Sequence, residues 1–162
     1  MSFVVLDTDV LSSASTGESK RAQDGWRLLQ CLVMEEYHTL LICPGLWKEY
    51  QRVSARSMGL NKLSPYAFTG KIEPDSDPQN DNDWERLKQL GVDEKDIGWV
   101  LLAAQHEAIF VTWEKYAPRR RKSEQREQEH QRIVRAVEDE FDVRIWHPDY
   151  AFRRLCSKSK RK

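Results

Sequence analysis

The chain has 162 residues, of which 40% are apolar and 32% charged, and its 26 basic residues equal its 26 acidic ones. That length suits one domain with a real hydrophobic core, and the composition is globular rather than disordered. Zero net charge excludes a generally basic nucleic-acid binder but leaves room for a local basic patch. Cys31, Cys43 and Cys156 form no CxxC pair. This argues against a thiolate zinc site and a disulfide framework, and it fits a reducing compartment. The longest apolar run, residues 99–104, is too short to cross a bilayer. Residues 3–6 meet charge at once, unlike a signal peptide. The expectation is a soluble cytoplasmic protein with no membrane partner.

Residues 3–6 read as a short buried strand, and 12–20 as a turn-rich connector. A helix follows with Trp26, Leu29, Leu32 and Val33 at helical spacing. TLLIC, residues 39–43, is a second buried strand, ended by Pro44 and Gly45. Leu46, Tyr50 and Val53 mark the next helix. Residues 54–72 are weakly patterned, with a helix around Pro65 the best reading, and 73–83 is a solvated loop rich in Asp, Asn and Pro. Trp84, Leu87 and Leu90 make a short helix that Gly91 closes. A nearly all-apolar helix covers 93–107, and residues 108–112 form a third strand. A charged helix over 123–140 buries Ile133, Val134 and Val137, and 143–146 is the last strand. This alternation predicts an α/β fold: a three-layer α/β/α sandwich around a mainly parallel sheet of four or five strands. It forms one domain over residues 1–156, with a basic disordered tail at 157–162.

In such a sheet, ligands bind beyond the carboxyl ends of the strands. Four acids fall there. Asp7 follows the first strand, Glu49 lies early in the helix after the second, Asp96 opens the apolar helix, and Glu114 follows the third strand. Right-handed crossovers bring these ends to one edge. Two like charges 4 Å apart repel by about 4 kcal/mol at an effective dielectric of 20. Four converging carboxylates therefore call for protons or a cation. All-oxygen ligation suits one or two Mg²⁺ or Mn²⁺ ions, which lower the pKa of a bound water and offset phosphoryl charge. That chemistry points to phosphodiester hydrolysis.

The same residues carry a likeness. DTDVL, residues 7–11, resembles the opening motif of the PIN-domain nucleases, to which many bacterial toxin–antitoxin ribonucleases belong. LWKEYQRV, residues 46–53, resembles their second motif, with Glu49 as its acid. DIGWVLLAAQHEAIFVTWE, residues 96–114, resembles the third and fourth motifs together. The likeness covers most of residues 3–116 and is weak between 57 and 90. Three features depart from the family pattern. Glu114 stands where the family has Asp, Asp9 where Asn is frequent, and residues 117–135 are longer and more charged than the compact pattern needs. The resemblance implies a PIN-like fold with Asp7, Glu49, Asp96 and Glu114 as catalytic metal ligands. It also implies a possible antitoxin partner and a homodimer.

Simpler roles compete with these. Asp9 suits an Asx-type turn as well as metal contact. Glu49 suits an ordinary exposed helix position. Asp96 suits the first turn of a helix, worth about 0.3–1 kcal/mol against the dipole, and Asp93 can cap the same helix. Thr8 and Thr112 each neighbour an acid and suit a water-holding or a turn role. The four histidines, His38, His106, His130 and His147, show no metal spacing and read as surface or packing residues. Trp26, Trp84 and Trp99 read as core, and Trp113 suits packing or stacking on a base. Arg119, Arg120, Arg121 and Lys122 form the strongest basic cluster. It suits phosphate binding, or a solvated helix start paired with nearby glutamates.

The leading expectation is a Mg²⁺- or Mn²⁺-dependent endoribonuclease acting on single-stranded RNA. The main rival is a PIN fold that recognises RNA or a protein without cutting. A receiver domain ranks below both, because the second strand ends in Cys-Pro-Gly without its acceptor Asp. No GxGxxG or Walker-type segment supports a glycine-driven phosphate cradle.

Overall fold

The computed structural model describes residues 2–15, 17–34, 38–52, 72–74, 80–120 and 122–156. Among the described residues, five strands run β1 Ser2–Leu6, β2 His38–Ile42, β3 Ile72–Pro74, β4 Ile109–Val111 and β5 Arg144–Trp146. Seven helices among the described residues accompany them. They are α1 Thr8–Ser13, α2 Lys20–Met34, α3 Pro44–Arg52, α4 Asp81–Leu90, α5 Glu94–Gln105, α6 Ser123–Phe141 and α7 Pro148–Cys156. The sheet order is β3-β2-β1-β4-β5, and every pairing is parallel. This is an α/β architecture compatible with a three-layer sandwich. None of the described helices is long and apolar enough to cross a membrane.

The central strand explains itself chemically. Val4, Val5 and Leu6 are buried side by side, as a strand covered on both faces requires. Each large apolar side chain buried in this way contributes about 1.5–3 kcal/mol. Leu28, Leu29 and Leu32 of α2, Leu46 and Tyr50 of α3, and Ile97, Val100 and Leu102 of α5 complete the same core. The Tyr50 hydroxyl donates to the Leu6 carbonyl, which locks α3 to the end of β1.

Connectivity decides where ligands can bind. From β1 the chain passes through α2 to β2 on one side. It later returns through α5 to β4, on the other side of β1. The strand order therefore reverses direction between β1 and β4, and a crevice opens beyond their carboxyl ends. Leu6 pairs with Val111 in register, so Asp7 and Thr112 emerge side by side.

Several helix ends follow local rules. Pro44 is the first residue of α3, where its missing N–H costs nothing. Asn80 caps α4 by accepting from the Asp83 N–H, and Asp93 caps α5 by accepting from the Lys95 N–H. Gly91 ends α4 with φ +108, and an added Cβ there would stand 2.9 Å from Ile133 Cδ1. Both facts favour glycine.

Four expectations need correction. The connector after β1 is in part helical, because α1 starts directly at Thr8. Where the weakly patterned stretch meets the expected loop, Ile72–Pro74 pairs with β2 as an edge strand, the position where a proline is tolerated. Helix α7 was not anticipated; its amphipathic residues end the described chain and pack on α2. Finally, Cys31 and Cys156 form a disulfide across 125 residues, with Cα atoms 6.1 Å apart. The packing of α7 on α2 brings together cysteines that spacing alone keeps apart, so cysteine usage no longer argues for a reducing compartment. Cys43 stands outside the disulfide and is buried. The helix expected around Pro65 and the tail at 157–162 lie outside the described residues.

Candidate functional site

The crevice holds a cleft of about 260 Å³ lined by Asp7, Asp9, Glu49, Lys95, Asp96 and Trp99, with Thr8 and Ser12 completing its wall. Asp7 ends β1 and occupies the N-cap position of α1 without capping it through its side chain. Instead, its Oδ2 accepts a 2.6 Å hydrogen bond from Thr112 Oγ1, across the β1–β4 switch. The Thr112 hydroxyl also accepts from the Glu114 N–H at 2.9 Å, so its single proton is committed to Asp7. Asp96 sits in the first turn of α5, where the Asp93 cap starts the helix and leaves Asp96 free to face inward. Its Oδ2 accepts from the Tyr116 hydroxyl at 3.1 Å.

Burial and mutual repulsion set the charges. Asp7 is 5% exposed and Asp96 is 1% exposed. Burial raises the Asp7 carboxyl above its usual range, against the pull of the Thr112 hydroxyl. Burial, then the neighbouring Asp7 charge, push Asp96 up to about 8. The same two causes push Asp9 up to about 7, although Arg21 lies 3.3 Å from its Oδ2. Burial and the Asp96 carboxylate hold the Tyr116 proton on firmly, which fixes this hydroxyl as a donor. Burial resists ionisation of all three acids, and the Asp7 charge adds to that resistance at Asp9 and Asp96; a bound cation offsets both.

Two oxygens test the fit of such a cation. Asp9 Oδ1 and Asp96 Oδ1 are buried and make no hydrogen bond. A buried carboxylate oxygen without a donor is costly, and hard divalent ions bind such oxygens. Among the described residues, however, no three His, Cys, Asp or Glu side chains stand in ready-made ligand geometry. The oxygen donors fit Mg²⁺ or Mn²⁺ in chemical type, and a bound ion would have to draw them together.

The other expected residues divide. Glu49 reaches the rim of the cleft, but 43% of its side chain is exposed and Arg52 holds its Oε1 at 3.1 Å. Glu114 does not line the cleft itself: its Oε2 pairs with Lys95 Nζ at 3.1 Å, it lines a neighbouring groove, and its charge still acts on Asp96. Its extra methylene relative to Asp permits that reach. Thr8 lines the cleft wall. Of the basic cluster, Arg119 lines the neighbouring groove, Arg120 and Lys122 are exposed, and Arg121 lies outside the described residues. Trp113 packs at 6.1 Å from the His147 ring, and Arg21 covers it at 5.3 Å, so packing describes it better than base stacking. Trp84 and Trp99 are only partly buried against the core, and Trp26 is half-buried.

Tyr116 is the residue that sequence reasoning missed. It is 4% exposed, and its backbone N–H donates to His130 Nδ1 at 3.0 Å. The sole sequence signal was its place two residues after Glu114, beyond the last motif. His130 is likewise buried, which fits packing rather than surface.

Compared with known proteins, the chain matches no family model and no curated sequence. The PIN likeness therefore rests on the sequence motifs alone.

Proposed function

We propose that the chain is a PIN-like, metal-dependent endoribonuclease acting on single-stranded RNA. The observation that supports this best is the joining of Asp7, Asp9 and Asp96 in one cleft at the switch point of a parallel sheet, with two carboxylate oxygens unpaired. Asp7 and Asp96 would hold Mg²⁺ or Mn²⁺, with Asp9 and Glu49 nearest to complete the set. When bound, such an ion supplies an acidified water and offsets charge on a phosphoryl oxygen. Thr112 fixes the Asp7 carboxylate and Tyr116 fixes Asp96, so each keeps one oxygen turned by a neutral donor. In-line attack on phosphorus with departure of the 3′ oxygen gives 5′-phosphate and 3′-hydroxyl ends. An antitoxin partner and a homodimer rest on the likeness alone.

The test is cleavage of an end-labelled RNA with Mn²⁺, with EDTA, and by Asp7→Asn. Cleavage only in the first supports the reading, and equal cleavage in all three rejects it. One observation favours a second reading, a non-cutting binding module. Lys95 ties up Glu114, which removes an expected fourth ligand. Titration calorimetry with Mn²⁺ separates the two, since a pure scaffold shows no heat that depends on Asp7 and Asp96.

A further inference from the structure

Beside the acid cleft lies a second groove, of about 480 Å³. Lys95, Lys115, Arg119 and Arg126 line it, against the carboxylates of Asp93 and Glu114. Lys95 is paired with Glu114, and Lys115 with Glu127. Among the described residues, Arg119 and Arg126 form no ion pair. Arg126 Nε is moreover buried without a hydrogen-bond acceptor. An unpaired guanidinium N–H that has lost water is a standing cost, and an anionic acceptor removes it.

The geometry points to this groove as a phosphate-binding track for the backbone of single-stranded RNA, separate from the cutting carboxylates. It rests on the nuclease reading for the identity of the strand. Three features favour a phosphodiester over an acidic peptide. The two unpaired cations are both arginines, whose planar forks match phosphate oxygens. Arg126 lies in the first turn of α6, whose N-cap residue Lys122 makes no side-chain cap bond, so the positive helix end adds to the same field. Lys95 lines both the groove and the cleft, so a strand lying across the carboxylates continues directly over the arginines. Sequence alone offers the run at 119–122 for phosphate contacts or as a solvated helix start. The fold keeps Arg119 from that run and recruits Arg126 and Lys115 from outside it.

The experiment is fluorescence anisotropy of a labelled single-stranded RNA with EDTA present, so that no strand is cut, over a range of salt. The full chain is compared with Arg119→Gln, Arg126→Gln and the double variant, each first shown to melt like the parent. Each substitution should weaken binding severalfold, and the double variant at least tenfold. The slope of log affinity against log salt should fall by about one per arginine. Parent-like affinity and slope in the double variant overturn the proposal. Displacement of the RNA by millimolar inorganic phosphate overturns it in favour of a small-anion seat. Equal affinity for an oligoglutamate of matched charge overturns it in favour of a protein partner. Arginine-dependent binding without Mn²⁺-dependent cleavage keeps the track and removes the nuclease. Cleavage indifferent to both arginines does the reverse.

Discussion

The acid cleft and the basic groove share Lys95, yet they are made in opposite ways. In the cleft, Asp7 and Asp96 are nearly inaccessible and each is gripped by a neutral hydroxyl, from Thr112 and Tyr116. In the groove, Arg119 is exposed and Arg126 half-exposed, and neither has an ionic partner among the described residues. Buried charge is expensive, so its position is fixed by the core that carries it. Exposed charge costs little, so the chain can place it wherever a loop or helix end allows. The cleft is accordingly electrostatically frustrated, while the groove lacks an anion.

The sharpest break in that comparison is to remove charge from the cleft. Asp96→Asn should lower Mn²⁺-dependent cleavage by more than the ten- to hundredfold typical of lost supporting contacts. It should also raise the melting temperature in EDTA, because Asp7 and Asp96 no longer repel each other. A melting scan beside the cleavage assay checks both, and a destabilised Asn variant would contradict the frustration described here. Next comes Tyr116→Phe, which leaves the ring and removes the donor to Asp96 Oδ2. Mn²⁺ affinity by calorimetry should fall by about tenfold, with the far-ultraviolet spectrum unchanged. Unaltered affinity would reduce Tyr116 to packing.

A smaller effect follows from pH. Asp9 and Asp96 titrate in the fold at about 7 and about 8, against 3.8 ordinarily, and Asp7 is also raised. The folded chain then binds more protons than the unfolded one across that interval, so stability falls as pH rises through it. Burial lowers His130 to about 4, and lowers His147, which works in the opposite sense below their usual 6.5. Between about pH 6.5 and 8 the acids act alone. In EDTA the melting temperature should drop over that window, and saturating Mn²⁺ should flatten the drop. A rise in EDTA would show the carboxylates already ionised. The smallest change is expected from Lys95→Gln, at the seam of the two regions. Its bond to Glu114 is largely exposed, worth under about 1 kcal/mol by urea denaturation. Mn²⁺ affinity should nonetheless rise severalfold, because a cation leaves the cleft and Glu114 is released.

The contrast also explains what could be read from residues alone. Asp7 was legible because an uninterrupted apolar strand runs into it, and burying residues 4–6 delivers the next side chain to the sheet edge. Asp96 was legible through the Asp93 cap and the apolar helix that follows. Glu114 was harder to place, because register fixes Thr112 but not the rotamers of a longer side chain two residues on, where a lysine from α5 competes for it. Tyr116 carried no pattern: a tyrosine after a strand is ordinary until its hydroxyl meets a carboxylate contributed by another element. Helix α7 and its cysteine were hidden for the same reason, since their partner lies at the opposite end of the chain.

The bond between Cys31 and Cys156 turns most of the polypeptide into a covalent ring. A ring of that size removes about 5 kcal/mol of chain entropy from the unfolded ensemble. It also means that one protease cut anywhere between the two cysteines yields no separate fragments until a thiol reductant opens the loop. A nicked molecule would keep its full mass on a non-reducing gel, with both halves of the acid cleft still tethered to each other.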